Sequence, residues 1–88
     1  MTWRIVYSKL AEKQLDGLPR ETALRIRKFM EERVAGMQMP RVLAVKLSGA
    51  YEDRFRYRVG DYRVICAIED RTLIILVVQV AHRREVYR

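Results

Sequence analysis

Arginine recurs at every second residue of Arg54-Phe55-Arg56-Tyr57-Arg58-Val59, and apolar residues fill the gaps. Successive side chains of a β-strand point to opposite faces, so this segment predicts a strand with three guanidiniums on one side and an apolar strip on the other. Like charges on one face repel and weaken a strand. A polyanion relieves that repulsion, and nucleic acid is the polyanion such a surface fits. The guanidinium fork takes phosphate oxygens in pairs, so the chemistry on offer is holding a phosphodiester and neutralising its charge. No carboxylate pair is spaced for acid/base work.

The rest of the composition agrees. The 88 residues carry 18 Lys+Arg against 11 Asp+Glu, a net charge of +7, and only Lys9, Lys13, Lys28 and Lys46 of those cations are not arginine. A merely soluble basic protein is the plain alternative. The length suits one domain over residues 1–88, too small for two separate cores, so core and site must share elements. Half the residues are hydrophobic and a third charged, a globular composition without linker, repeat or low-complexity tract. A lone cysteine, Cys66, excludes an internal disulfide, and with a single histidine neither a metal site nor a cofactor is expected. Met1 to Tyr7 lacks the apolar core of a signal peptide, and the longest apolar run, Leu73 to Val78, is too short to span a bilayer. The expectation is a cytoplasmic protein with no membrane association.

The elements that must position these arginines can be read from periodicity. Trp3, Ile5 and Tyr7 alternate with Thr2, Arg4 and Val6, predicting a first strand. Ser8 is placed to cap a short helix whose apolar face is Ala11, Leu15 and Leu18; Gly17 and Pro19 end it and open a second. In that second helix Ala23, Ile26, Phe29, Met30 and Val34 form a stripe, and the charges around it, Arg25 among them, read as a solvated face. Gly36 and Pro40 bracket the following loop. From Val42 the pattern is sheet: Val45-Lys46-Leu47, the arginine strand, a turn at Gly60-Asp61, a strand from Tyr62 to Ile68, a turn near Glu69-Asp70-Arg71, and a last strand from Leu73. The fold class is α+β, an N-terminal strand and a two-helix hairpin followed by an antiparallel β-meander that forms one sheet with the helices packed against it.

A two-residue loop at Gly60-Asp61 sets Val59 opposite Tyr62, Arg58 opposite Arg63 and Arg56 opposite Ile65. Phe55, Tyr57, Val59, Tyr62, Val64 and Cys66 then share the core side, while Arg54, Arg56, Arg58 and Arg63 share the other. Trp3 and Tyr7 also read as core. The run Leu73 to Val78 does not alternate, as for a central strand covered on both faces, so the sides taken by His82 and Arg83 are undetermined.

Three segments, Lys46-Leu47-Ser48-Gly49, Arg58 to Ile65 and Ala81 to Tyr87, together resemble the RelE toxins of bacterial and archaeal toxin-antitoxin pairs, within the RelE/ParE superfamily. The resemblance covers nearly the whole chain. It implies a RelE-like fold and a ribosome-dependent, metal-independent endoribonuclease that cuts messenger RNA in the decoding (A) site. The implied partners are the ribosome and its rRNA, mRNA, and a cognate acidic antitoxin in a hetero-oligomer. In the implied reaction the 2′-hydroxyl attacks the adjacent phosphate, leaving a cyclic phosphate and a 5′-hydroxyl. The family's phosphate-holding arginine falls on Arg63, its second catalytic arginine on Arg83, and its base-stacking tyrosine on Tyr87.

The family's paired lysines fall on Arg54 and Arg56, a departure, because lysine can shed a proton and arginine effectively cannot. Arg56 is then an electrostatic clamp, and His82, with an unperturbed pKa of about 6.5, is the acid/base candidate; its plainer role is to cap a strand end or lie against the antitoxin. Lys46, Arg54, Arg58 and Arg84 are expected to contact RNA, though Lys46 reads equally as ordinary surface. Tyr51 reads as a packed loop aromatic or a base-stacking one. Relatives often continue into a further helix after the tyrosine, and with the chain stopping at Arg88, Tyr87 is expected to fray in the free protein and become ordered on the ribosome. Two other readings stand beside the enzyme: a ParE-like inhibitor of DNA gyrase and a basic RNA-binding module without catalysis.

Overall fold

The computed structural model describes residues 2–49 and 53–86, apart from the side chain of Val86; Tyr51 and Tyr87 lie outside the described residues. Strand β1 (Arg4–Tyr7) leads into helices α1 (Lys9–Asp16) and α2 (Arg20–Lys28), a π-helical turn (Phe29–Val34) and a 3₁₀ turn (Pro40–Leu43). Strands β2 (Val45–Lys46), β3 (Phe55–Val59), β4 (Tyr62–Glu69) and β5 (Ile74–His82) follow, and a short helix α3 (Arg83–Val86) comes last. The five strands form one sheet in the order β1-β5-β4-β3-β2. This is the α+β architecture the sequence predicts, with one addition. From β2 to β5 neighbours are antiparallel, but β1 joins β5 in parallel, Ile5 opposite Ile75 and Tyr7 opposite Val77. A parallel neighbour needs a long crossover, and everything from α1 to β4 supplies it.

Ser8 starts α1 as expected. Its extended backbone leaves the helix, its Oγ accepts the Ala11 N–H at 3.0 Å, and its hydroxyl donates to the Val78 carbonyl at 2.8 Å. The Gly17 N–H closes the helix on the carbonyls of Lys13 and Gln14. On α2 the stripe continues through a widened last turn, in which the Ala35 N–H reaches back to the Met30 carbonyl at 2.9 Å. The Ala35 carbonyl then takes the Trp3 N–H at 2.8 Å, joining the helix end to the sheet.

Both helices lay their stripes on one face of the sheet. Ala11, Leu15, Ile26, Met30 and Val34 meet Trp3, Tyr57, Val59, Val64, Cys66, Ile75, Val77 and Val80 in one buried cluster. Tyr7 and Tyr62 pack partly against it. Phe55 is half-buried, with the Arg41 guanidinium 5.1 Å above its ring. Tyr57 is fully buried; its ring meets Phe29 edge-on at 6.1 Å, and its hydroxyl donates to the Pro40 carbonyl at 2.6 Å. The side chain that anchors β3 thus also holds the 3₁₀ turn.

The pairing of β4 with β5 contains a bulge. Ile65 faces Gln79 and Cys66 faces Val77, which leaves Val78 as an extra residue on β5. Such an insertion shifts the alternation of every residue beyond it. Ile75 and Val77 face the core before the bulge, and Val80 does so after it. Beyond Val77, β1 no longer accompanies β5, and α1 satisfies the exposed edge: Ser8 holds the Val78 carbonyl, and Gln14 Oε1 accepts the Val80 N–H at 2.6 Å.

On the helix side Arg27 binds Glu12 at 2.8 Å and lies 4.7 Å over the Tyr7 ring, while the Tyr7 hydroxyl donates to Glu31 at 2.7 Å. Burial, then the Glu31 carboxylate, push the Tyr7 phenol well above its ordinary pKa. Arg41 grips Asp70 with both nitrogens, at 2.9 and 2.7 Å, and this holds the Asp70 carboxyl below the usual carboxylate range. These pairs fix the helices and the turn at Asp70, on the margins of the sheet.

Two outcomes follow from the packing. Tyr57→Phe should cost about 1 kcal/mol, the net worth of a hydrogen bond, and lower the melting temperature by roughly 4–8 °C for a domain of this size. Burial raises the Cys66 thiol far above its ordinary value, so a thiol reagent such as DTNB should modify the native protein only at the rate of its opening and the denatured protein at once.

Candidate functional site

The other face of the sheet carries the arginines. The row nearest the β3–β4 turn is Arg58, Arg63 and Ala81, and the next is Arg56, Ile65 and Gln79. The predicted hairpin register, Val59 with Tyr62 and Arg58 with Arg63, is the one observed. Ile65 and Ala81, 6% and 8% exposed, are buried without joining the core cluster, and their register neighbours are these long side chains. Arginine stems can cover apolar surface while the charged heads stay in water. The small Ala81 leaves Arg63 an open flank.

Gly60 opens the turn with φ of 59°, a left-handed value that favours glycine. Arg63 folds back on this turn, its Nη1 donating to the carbonyls of Gly60 at 3.1 Å and Tyr62 at 3.0 Å. From the end of the neighbouring strand β5, the Arg83 N–H donates to the Asp61 carbonyl at 2.8 Å, and Arg83 Nε stands 3.9 Å from Asp61 Oδ1. Arg63 and Arg83, twenty residues apart, therefore share one two-residue loop. Arg83 is half-exposed, so its guanidinium is free to reach a ligand from there.

The remaining candidates are distributed unevenly. Arg54 precedes β3 and pairs with Asp53 at 3.2 Å; the alternation of β3 keeps it on the side of Arg56. Arg58 is exposed on that face. Arg84 sits exposed in α3, its N–H donating to His82 Nδ1 at 3.3 Å. Lys46 faces Phe55 in the register, on the side opposite Arg56, and Val45 takes the position beside Arg56. Lys46 is therefore not part of the arginine face.

His82 is also elsewhere. The bulge at Val78 brings it level with Tyr62 on the helix side, where the two rings meet edge-on at 5.4 Å. There it lines a cleft of about 640 Å³ with Leu10, Gln14, Leu18 and Tyr62. The sheet itself separates this imidazole from Arg58 and Arg63, so His82 is not brought together with the arginines of that face. The described residues of the arginine face include no histidine, lysine or cysteine. That face can bind and stabilise a phosphate, but its arginines cannot exchange protons near neutral pH.

One residue at the turn escaped the sequence reading. Arg25, expected on the solvated face of α2, reaches across to Gly60, its Nη1 2.9 Å from where a Cβ on that glycine would stand. Helical periodicity had no means of signalling a contact across 35 residues.

Among the described residues no helix is long and apolar enough to cross a membrane, and no group of three His, Cys, Asp or Glu side chains comes together to hold a metal ion. No curated protein matches the sequence. Among solved structures the chain is similar to a chain of the toxin-antitoxin complex RelBE2 from Mycobacterium tuberculosis, with 20% identity, a TM-score of 0.87, and coverage of 97% of this chain and 95% of that one. At that identity the likeness speaks for the fold. It is also similar to a chain of the archaeal RelE-RelB complex from Pyrococcus horikoshii OT3, at 29% identity and a TM-score of 0.69, covering 97% of this chain and 99% of that one. A third is a mutant of the E. coli toxin RelE in complex with an antitoxin RelBc peptide, at 25% identity and a TM-score of 0.72, covering 99% and 92%. Residues 5–87, nearly the whole length, match the family described as ParE toxin of type II toxin-antitoxin system, parDE; with the α+β sheet and its helices arranged as in RelE toxins, the chain belongs to that toxin family, within the RelE/ParE superfamily.

Proposed function

We propose that this toxin is a ribosome-dependent endoribonuclease that cleaves messenger RNA in the decoding site by 2′-hydroxyl attack on the adjacent phosphate. The observation that carries this reading is the meeting of Arg63 and Arg83 at the Gly60-Asp61 turn, beside Arg58 and Arg56 on an open sheet face. In the reaction the 2′-hydroxyl loses its proton to hydroxide and its oxygen bonds to phosphorus, the bond from phosphorus to the 5′-oxygen breaks, and the leaving 5′-oxygen takes a proton from water. Arg63 holds the scissile phosphate, and Arg83 reaches the same group from its half-exposed position to stabilise the extra charge in the transition state. Arg56 and Arg58 hold the flanking backbone, Arg54 and Arg84 extend the contact, and Tyr87 stacks on a substrate base.

The ribosome supplies order and mRNA, which places the activity in the cytoplasm, and the protein acts as a single domain. Its partner between activities is a cognate acidic antitoxin that neutralises the basic face in a hetero-oligomer, an arrangement supported by the RelE-RelB complex of the Pyrococcus horikoshii relative. The family's description as ParE toxins favours one other reading, inhibition of DNA gyrase, in which the arginine face only binds.

The test is to add the protein to programmed ribosomes and map mRNA ends by primer extension, with gyrase supercoiling assayed in parallel. Decoding-site cuts are expected, with Arg63→Ala and Arg83→Ala each slowing single-turnover cleavage by about 10²–10³, as for loss of one charge-stabilising donor. Intact mRNA with supercoiling inhibited would transfer the protein to the gyrase reading.

Proton transfer gives a second outcome. With no histidine, lysine or cysteine among the described residues of the arginine face, the single-turnover rate should rise about tenfold per pH unit between roughly pH 6 and 8.5, hydroxide removing the 2′-proton. His82→Gln should leave the rate within about threefold of wild type. A break in the pH profile that disappears in His82→Gln would instead restore His82 to the chemistry.

A further inference from the structure

Arg25 lies near the C-terminal end of α2, on the helix side of the molecule. A Cβ placed on Gly60 would stand 2.9 Å from its Nη1, 3.3 Å from its Cζ and 3.5 Å from its Nη2, so the whole guanidinium rests against the glycine. Glycine at this position meets the left-handed φ of the turn, and the Arg25 head, the end of a flexible side chain, occupies the space beside it. The carbonyl of the same glycine accepts Arg63, and the next residue holds Arg83. Three guanidiniums from three separate elements thus converge on two loop residues.

Their balance is uneven. One carboxylate, Asp61, stands among them, largely exposed and 3.9 Å from Arg83. Among the described residues no carboxylate pairs with Arg25. A phosphate suits such a set of cations, because its oxygens accept from several guanidiniums at once. Asp61 is exposed enough for a phosphate to take its place beside Arg83.

The geometry points to a phosphodiester site at the β3–β4 turn in which Arg25 is the third guanidinium, holding an RNA phosphate adjacent to the one gripped by Arg63 and Arg83. This rests on the RNA reading above and extends it to the helix side of the turn. Arg25 would then set how far the bound strand runs past the tip of the sheet before it leaves the protein.

Salt dependence is the readout, because each phosphate contact on a single strand contributes about 0.7 to the slope of log affinity against log salt. Binding of an uncleavable 2′-O-methyl RNA dodecamer, and separately of vacant ribosomes, would be followed from 25 to 200 mM salt. The variants are Arg25→Gln, Arg25→Lys, Arg63→Gln and Arg71→Gln, the last at the opposite end of β4. Arg25→Gln should flatten the slope by about 0.7 and weaken binding roughly three- to tenfold at low salt, with an unchanged melting temperature. Arg25→Lys should keep the slope, since a point charge still meets the phosphate, and Arg71→Gln should leave it untouched. A loss with the dodecamer identifies the phosphate as one of the message, and a loss with ribosomes alone identifies it as ribosomal. If Arg63→Gln flattens the slope and Arg25→Gln does so in neither arm, the third contact is wrong while the RNA reading survives. If neither variant changes it, both fall.

Discussion

The Gly60-Asp61 turn is the constraint on which the rest of the molecule depends. A two-residue loop admits one register, and with Val59 opposite Tyr62 the alternation of β3 and β4 is fixed along their whole length. Slipping it by one residue would turn three guanidiniums into the core and Tyr57 and Val64, both fully buried, out into water. Burying one unpaired guanidinium already exceeds anything the rest of the sheet could offset, so the hairpin has no close competitor. The same turn is where Arg63 and Arg83 attach. Folding and site assembly are therefore one event here, as an 88-residue chain with a single core requires.

The two faces of the sheet are stabilised differently. On the helix side the buried polar side-chain atoms of the described residues are paired, Tyr57 with Pro40 among them, and Ser8 with Val78 and Gln14 with Val80 join the helix to the strand edge. The ion pairs of Arg27 with Glu12 and Arg41 with Asp70 lie near solvent at the margins, where such pairs contribute little each. On the arginine face, Arg54 pairs with Asp53 and Arg83 stands 3.9 Å from Asp61, both carboxylates largely exposed. Arg63 is held in place by backbone carbonyls, which orient a guanidinium without cancelling its charge. A face built this way stays charged in the folded protein, which suits attraction of a polyanion.

The bulge at Val78 divides the last strand into two functional lengths. Before it, β5 is sandwiched between β1 and β4 and serves the core; after it, α1 takes over the edge and the strand carries Gln79 and Ala81 to the arginine face and His82 to the helix cleft. Ser8 connects these roles, capping α1 and bonding the carbonyl of the bulged residue. A substitution at Ser8 therefore bears on the alternation of the strand end as well as on the helix.

The alternation of β3 and β4 was legible in the sequence because it is local: arginine and apolar residues take turns, and a glycine marks the loop between them. The helical hairpin was legible for the same reason, through the stripe from Ala23 to Val34 and the cap at Ser8. What the sequence by itself could not determine were the relations made across the chain. Leu73 to Val78 is apolar on both faces, so nothing in it marks an extra residue; the bulge arises only when β5 pairs with β4 on one side and α1 on the other, and that pairing alone decides that His82 faces Tyr62 and not Arg63. Lys46 and Arg25 teach the same lesson from opposite directions. One looked like part of the basic surface and is turned from it by the register with Phe55, and the other looked like solvated helix and rests on the turn at Gly60. Periodicity reports which residues share a face of one element, and only tertiary packing decides what that face meets.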